Sequence, residues 1–379
     1  MRPHPRPRLT RLPILLLAAL LLALPGQGQA QAQDRAQDRV INVFNWADYI
    51  DPYAIERFQR ETGIRVRYDV YDSLETLEGR LSAGRSGFDV VVPTSEPSFA
   101  RLVRAGALRP LDAALLPNLR HLDPALMARV APVDTANRHG VIYLWGTVGL
   151  GMREDRIRAL APDADLDSMA LLLNPANARR LARCGIAVMD SATDVLPSVL
   201  QFLGRAPDSA DPADLRAAEQ ALLAIRPHLR SIPSSAAIID ALASGEICLA
   251  LTYSGDVIQA GVRAREAGRP FAIRYAAPRE GAQLWFDMLA IPADAPNPQG
   301  AHAFINFLLA PDVMAGITNQ VRYPNAVPAS RPLLRPEVAD DPSIHPTAET
   351  LARSFLAGTP TPAAERARAR LWARFKAGR

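Results

Sequence analysis

The stretch VFNWADYID, residues 43–51, packs an indole, a phenol and two carboxylates into one short connection. A strand-to-helix turn needs a polar cap and a Gly or Pro, so Trp46, Asp48 and Tyr49 together call for a chemical reason. Similar groups recur where other strand-like runs end: Thr94, Ser95 and Glu96 after FDVVV, Asp190, Ser191 and Asp194 after CGIAVM, and Tyr253, Ser254 and Asp256 after EICLAL. Trp285 and Asp287 enter the late run WFDMLAIP. No Lys, Arg or His belongs to this set. Carboxylates alternating with aromatic faces suit a desolvated organic cation. An ammonium donates three hydrogen bonds, charge-assisted when the acceptor is ionised. Indole and phenol faces add cation–π attraction of roughly 0.5–2 kcal/mol and pack the methylenes between charges. Acids gathered without a cation repel one another, which raises their pKa values.

Other chemistries fit less well. Paired acids suit glycoside hydrolysis, but no G-x-S-x-G, no H-E-x-x-H and no Cys–His pairing of known spacing accompanies them. His4, His121, His139, His228, His302 and His345 are scattered and read as surface or core residues. The eight tyrosines include no adjacent pair of the kind a ferric site would use. No metal, cofactor or catalytic residue is therefore expected. A single Asp at a strand end is ordinarily a helix N-cap; Asp48, Asp256 and Asp287, beside aromatics, argue for more.

The elements that position these groups follow from periodicity. RVINVFNW alternates as a strand, Asp51-Pro52 supplies an N-cap and a first-turn proline, Ile55 and Phe58 face inward, and Gly63 closes the helix. IRVRYDVY is a second strand, Ser73 caps a helix carrying Leu74, Leu77 and Leu81 that Gly84 stops, and FDVVVPTS reads as a continuous buried strand. This β-α-β-α-β rhythm implies parallel pairing with right-handed crossovers and an α/β architecture. It returns around CGIAVMD and EICLALTYS, while GVIYLWGTVGLGM reads as a strand crossing between lobes and GAHAFINFLLAPDVMAGI as one amphipathic helix. Ligands of such sheets bind beyond the carboxyl ends of the strands, where the acids and aromatics lie.

Residues 1–30 combine Arg2, Arg6, Arg8 and Arg11 with an apolar run and a small-residue end, the pattern of a cleaved export signal. The chain has 43 Lys and Arg against 39 Asp and Glu; the leader holds four of the Arg and no acid, so the remainder balances at 39 of each sign. A balanced chain has no electrostatic footprint for nucleic acid. About 350 residues exceed what one core usually holds, so two lobes are expected. Cys184 and Cys248 form an even pair that, in an oxidising compartment, suggests one disulfide; two buried thiols are the alternative.

The mature chain resembles the periplasmic putrescine-binding proteins of bacterial polyamine ABC transporters and, more loosely, their spermidine-binding relatives. NWADYI, ETGIRVRYDVYDS, LEGRLSAGRSGFDVVVPTS, GEICLALTYSGDVIQA, WFDMLAIPADA and VRYPNAVPAS carry the resemblance in order and spacing. It implies an α/β, two-lobed periplasmic binding protein fold of type II, with hinged lobes, mixed and mostly parallel sheets, and the diamine in the cleft. Expected boundaries are 1–30 for the signal, 31–147 and 277–312 for the first lobe, and 148–276 and 313–379 for the second. By position, Trp46, Asp48 and Tyr49 match the family's first-loop ligands, Asp256 and Asp287 its principal ammonium-binding carboxylates, and Tyr323 a wall aromatic. Cys184 and Cys248 fall where putrescine-binding members carry a disulfide.

Departures bear on which ligand is preferred. Ala47 stands where the family has Ser or Thr, Thr94 replaces a Ser, and Asp194 replaces a Glu that holds the distal ammonium. Tyr253 replaces a Trp, and Trp285 occupies a position that is Phe in putrescine binders and Trp in spermidine binders. Trp285 and the additional Glu96 lean toward a longer polyamine, while Asp48 and Asp256 keep putrescine slightly ahead. The resemblance implies a periplasmic, monomeric receptor delivering a polyamine to a membrane permease. The alternatives are a binder of cadaverine or agmatine, an exported enzyme acting on amines or sugars, or a sensor that has lost uptake.

Overall fold

The computed structural model describes residues 39–378; the export signal expected over residues 1–30 lies outside them. Strand β1 (Val40–Trp46) leads into helix α1 (Pro52–Thr62) through the expected cap: the Asp51 side chain accepts from the Tyr53 amide, and Gly63 ends the helix at φ +72°, a conformation glycine adopts without strain. β2 (Arg65–Tyr71), α2 (Leu74–Ser82), capped by Ser73, and β3 (Val90–Val91) complete a β-α-β-α-β unit in which β1 pairs in parallel with both β2 and β3. The run 88–93 is buried as expected, but only two of its residues form ladder. Pro93 has no N–H to donate; its carbonyl instead accepts from the Met288 amide, and Thr94 forms an isolated bridge with Asp287.

Strand β4 (Gly140–Met152) is buried along its whole length. The second set comprises β5 (Ile186–Val188), α3 (Ala192–Phe202), α4 (Pro212–Ile225), α5 (Ser235–Ser244), β6 (Leu249–Tyr253) and α6 (Ser254–Glu266), followed by β7 (Arg274–Ala276) and β8 (Gln283–Ala290). The strands lie in the order β2-β1-β3-β8-β4-β6-β5, with β5 and β6 parallel and β8 antiparallel to both β3 and β4. β4 pairs with β8 as far as Thr147 and with β6 from Val148 onward, so one strand belongs to the sheets of both lobes.

The late helix is two helices, α7 (Pro298–Leu308) and α8 (Pro311–Val321), bent by 76°. Pro311 lacks the amide that would continue the ladder and disfavours helix at Ala310, whose φ/ψ of −67° and 133° are extended. The lobe boundary expected at 312/313 therefore falls inside α8. That helix packs on α1 and α7, and Asp312 accepts from Arg57 Nη1 of α1 at 2.6 Å. The last helix, α9 (Pro362–Ala377), lies against α3 and α4.

Cys184 and Cys248 form a disulfide with Cα atoms 5.5 Å apart, joining the chain just before β5 to the chain just before β6. It closes a separation of 64 residues, worth on the order of 4 kcal/mol by loss of unfolded-chain entropy. The double variant Cys184→Ala/Cys248→Ala is expected to unfold at a lower temperature by scanning calorimetry and to show no further drop when reductant is added, whereas the parent shows one.

Candidate functional site

At the end of β1 the backbone of Asp48 adopts a left-handed conformation (φ +54°), a region Asp tolerates better than most residues. The turn carries Tyr49 into the interior, 6% exposed. It carries Asp48 the other way: its carboxylate accepts from Arg263 Nη2 of α6 at 3.1 Å and is half exposed. Asp48 thus departs from the expectation of a cleft acid. It lies in an outer hollow with Arg263 and Arg322 and spans the two lobes as an ion pair.

Alternation along β8 puts Gln283, Trp285 and Asp287 on one face. Asp194 and Asp256 each occupy the first turn of a helix, α3 and α6, three residues past the N-cap residues Ser191 and Tyr253. Together with Trp46, Tyr49, Thr94, Tyr253 and Tyr323, these acids line one cavity. Asp194, Asp256 and Asp287 are 8%, 7% and 4% exposed. Among the described residues no Lys, Arg or His lines the cavity.

Each acid is held by a neighbouring hydroxyl. The Thr94 hydroxyl donates to Asp287 Oδ1 at 2.6 Å, and the Tyr49 hydroxyl approaches the same carboxylate without closing a hydrogen bond of normal geometry. The Tyr323 hydroxyl donates to Asp256 Oδ1 at 2.6 Å while accepting from the Asp256 amide at 3.1 Å. Asp194 Oδ2 accepts from Ser191 at 2.5 Å and Tyr253 at 2.8 Å, and its Oδ1 accepts from Gln283 Nε2 at 3.2 Å. The rings form a continuous wall: Trp285 meets Tyr253 edge to face at 5.5 Å and Tyr323 at 5.1 Å, and Tyr323 meets Tyr49 at 5.4 Å. Trp46 is fixed by its Nε1 donating to the Val92 carbonyl at 3.1 Å and by Tyr71 at 4.6 Å.

Burial pushes the Asp287 carboxyl up to about 7, with Thr94 and Tyr49 pulling it down and the Asp194 charge adding to the rise. Burial likewise pushes Asp256 up to about 6 against the Tyr323 hydrogen bond, and raises Asp194 against its hydroxyl donors. Desolvation is the leading cause in all three; the expected mutual repulsion is a smaller contribution. Asp256 Oδ2, the Tyr49 hydroxyl and Trp285 Nε1 are buried without a hydrogen-bond partner among the described residues. Such groups are costly unless something satisfies them. Two or three acceptors, spaced along a sleeve of rings, suit a flexible chain with separated positive charges and offer no nucleophile or base poised against another group.

Glu96 does not line this cavity; it borders an adjoining outer hollow. Sequence reasoning missed Tyr71, Asp72, Ser235, Ala236 and Ile239 in the lining, and Gln283, which donates to Asp194. Tyr71 ends β2 and Asp72 follows it, so the strand-end rule was sufficient to find them. Ser235 and Ile239 sit on a helix and carried no such signal. Among the described residues no cluster of three His, Cys, Asp or Glu has metal-site geometry.

A family model described as bacterial extracellular solute-binding protein matches residues 53–346. The putrescine-binding periplasmic protein SpuD of Pseudomonas aeruginosa is 44% identical over 361 residues, covering 95% of this chain and 98% of its own. PotF of Escherichia coli, also a putrescine-binding periplasmic protein, is 41% identical, covering 91% and 93%. A solved putative spermidine/putrescine ABC transporter protein from Listeria monocytogenes superposes with a TM-score of 0.80 at 30% identity, covering 90% of this chain and 100% of that one.

Proposed function

Because the chain belongs to the bacterial extracellular solute-binding proteins, we propose that it is the receptor of a polyamine ABC importer, capturing putrescine, and secondarily spermidine, between its lobes. The observation that carries this reading is the set of three buried acids, drawn from both lobes, in an aromatic cavity that no basic side chain among the described residues lines. A diamine supplies what that set lacks: an ammonium at each end and methylenes for the rings. Its relatives are solute-binding proteins rather than enzymes, and the ligand leaves unchanged.

In this reading Asp287 and Asp256 hold ammonium groups, oriented by Thr94 and Tyr323. Asp194, presented by Tyr253 and Gln283, takes the distal end, and Trp46, Tyr49, Trp285 and Tyr323 enclose the carbons. The lobes are 31–147 with 277–312, and 148–276 with 313–379; the change of partner along β4 supports the first boundary, and the contacts of α8 with α1 and α7 move the last toward Val321. The mature monomer works in the periplasm and docks, closed, on a membrane permease, with no nucleic-acid partner. Closure follows from higher affinity of the amine for the closed state.

Calorimetric titration with putrescine, cadaverine, spermidine and agmatine tests the reading, with mass spectrometry of the recovered amine as a check on turnover. Saturable one-site binding of putrescine with intact ligand is expected; no heat with any of the four sinks the proposal. A second outcome concerns Gly255, where an added Cβ would lie 2.5 Å from the Tyr323 ring. Gly255→Ala is expected to displace that ring from Asp256 and weaken putrescine by at least tenfold in the same titration.

A further inference from the structure

Past Thr94 and Asp194 the polyamine cavity continues into an outer hollow of about 1330 Å³, which shares Trp46, Asp72, Ser235 and Tyr253 with it as well. Glu96 lines this extension. It stands two residues beyond Thr94, on extended backbone (φ −125°, ψ 129°), and Thr94 is the residue bonded to Asp287. Glu96 Oε2 is buried and has no hydrogen-bond partner, and among the described residues no Arg or Lys forms an ion pair with this carboxylate. Burial pushes the carboxyl up to about 7, with the more distant Arg104 drawing it back.

The other acids of the hollow are differently placed. Asp190 is already engaged: Trp372 Nε1 donates to it at 2.7 Å and Lys376 Nζ at 2.9 Å. Asp72 and Glu75 are exposed, so water and salt screen them. Glu96 is left as the acid with an unfilled, desolvated acceptor, continuous with the inner site. Thr94 and Glu96 both border the hollow, which places this carboxylate beyond the inner acids and along the extension of the cavity.

We propose that Glu96 is the specificity-determining acid of an outer subsite that receives the third ammonium of a linear triamine, while diamines occupy the inner cavity alone. The inference rests on the polyamine reading of that inner cavity. It gives Glu96 a role that a structural residue would not have: an effect on triamines that diamines do not feel.

The test is calorimetric titration of the mature protein and of Glu96→Gln with putrescine as the diamine and spermidine as the triamine. Loss of one charge-assisted pair predicts spermidine weakened about tenfold or more, with putrescine within twofold of the parent; the retained putrescine affinity also reports an intact fold. Glu96→Ser serves as the second variant and is expected to show the same split. Equal losses for both amines, no change for either, or a parent protein that binds putrescine and not spermidine overturns the inference while leaving the receptor reading standing. A parent that binds neither amine overturns both.

Discussion

Replacing Asp287 with asparagine is expected to lower putrescine affinity at least a hundredfold in calorimetric titration. The variant keeps the shape of the side chain and an acceptor for the Thr94 hydroxyl, which donates at 2.6 Å, but removes the charge. An ammonium left against a neutral amide in a site 4% exposed loses a charge-assisted bond and keeps its desolvation cost, which is worth about 2–5 kcal/mol for a buried charge pair broken on one side. The same variant is expected to be more thermally stable than the parent without amine at pH 8. Burial raises the folded-state carboxyl from 3.8 to about 7, so the folded protein binds the proton more tightly than the unfolded chain does. The resulting penalty is absent below the unfolded value, grows as pH rises, and is complete above about 7. At pH 4 the stability gain of Asp287→Asn should have vanished. A variant that binds putrescine like the parent would remove Asp287 from the site.

The second large effect is the pH dependence of binding. The amines stay protonated over this range, as a lysine ammonium does, so the titrating partners are the acids. Asp287 at about 7 and Asp256 at about 6 must be ionised to hold an ammonium, and binding expels their protons. Affinity for putrescine is therefore expected to be full above pH 8 and to fall by roughly a hundred- to a thousandfold by pH 5. Titrations in buffers of different ionisation enthalpy should show proton release between pH 5 and 7 and none at pH 9. A flat profile over pH 5–8 would contradict the protonation of these two groups.

Much of this site was legible before any coordinates. Trp46, Thr94, Tyr253 and Asp256 follow strands, and the rule that ligands gather there identified them. The limits of that rule are equally physical. It presumes parallel strands, whereas β8 runs antiparallel to β3 and β4, so Trp285 and Asp287 line the cavity from the earlier part of that strand, and Gln283, which donates to Asp194 on the same face, was passed over. Asp48 was read as a cleft acid from its neighbours, but one left-handed residue exchanges the inward and outward directions of a turn, and no alternation pattern records a single φ. The long helix around residues 298–321 was read through Pro311 because its apolar residues continue on both sides. The disulfide was legible from the even cysteine count and the two buried strand starts, since β5 and β6 are neighbours.

The ion pair between Asp48 and Arg263 lies outside the cavity, in a separate hollow. Both side chains are more than a third exposed, so water and salt screen the pair. Its contribution to closure is small beside that of the buried acids, whose desolvation is relieved only when a cation arrives. In the proposed reading, the energy that favours the liganded, closed form is stored in Asp287, Asp256 and Asp194.

The position of the bound nitrogens tests this directly. In a crystal structure of the mature protein grown with putrescine at pH 8, both amine nitrogens should lie within about 3.2 Å of carboxylate oxygens drawn from Asp287, Asp256 and Asp194, with the four carbons against the wall of Trp46, Tyr49, Trp285 and Tyr323. Putrescine bound at the Asp48 surface, or in the cavity with its nitrogens turned away from all three acids, would contradict the account.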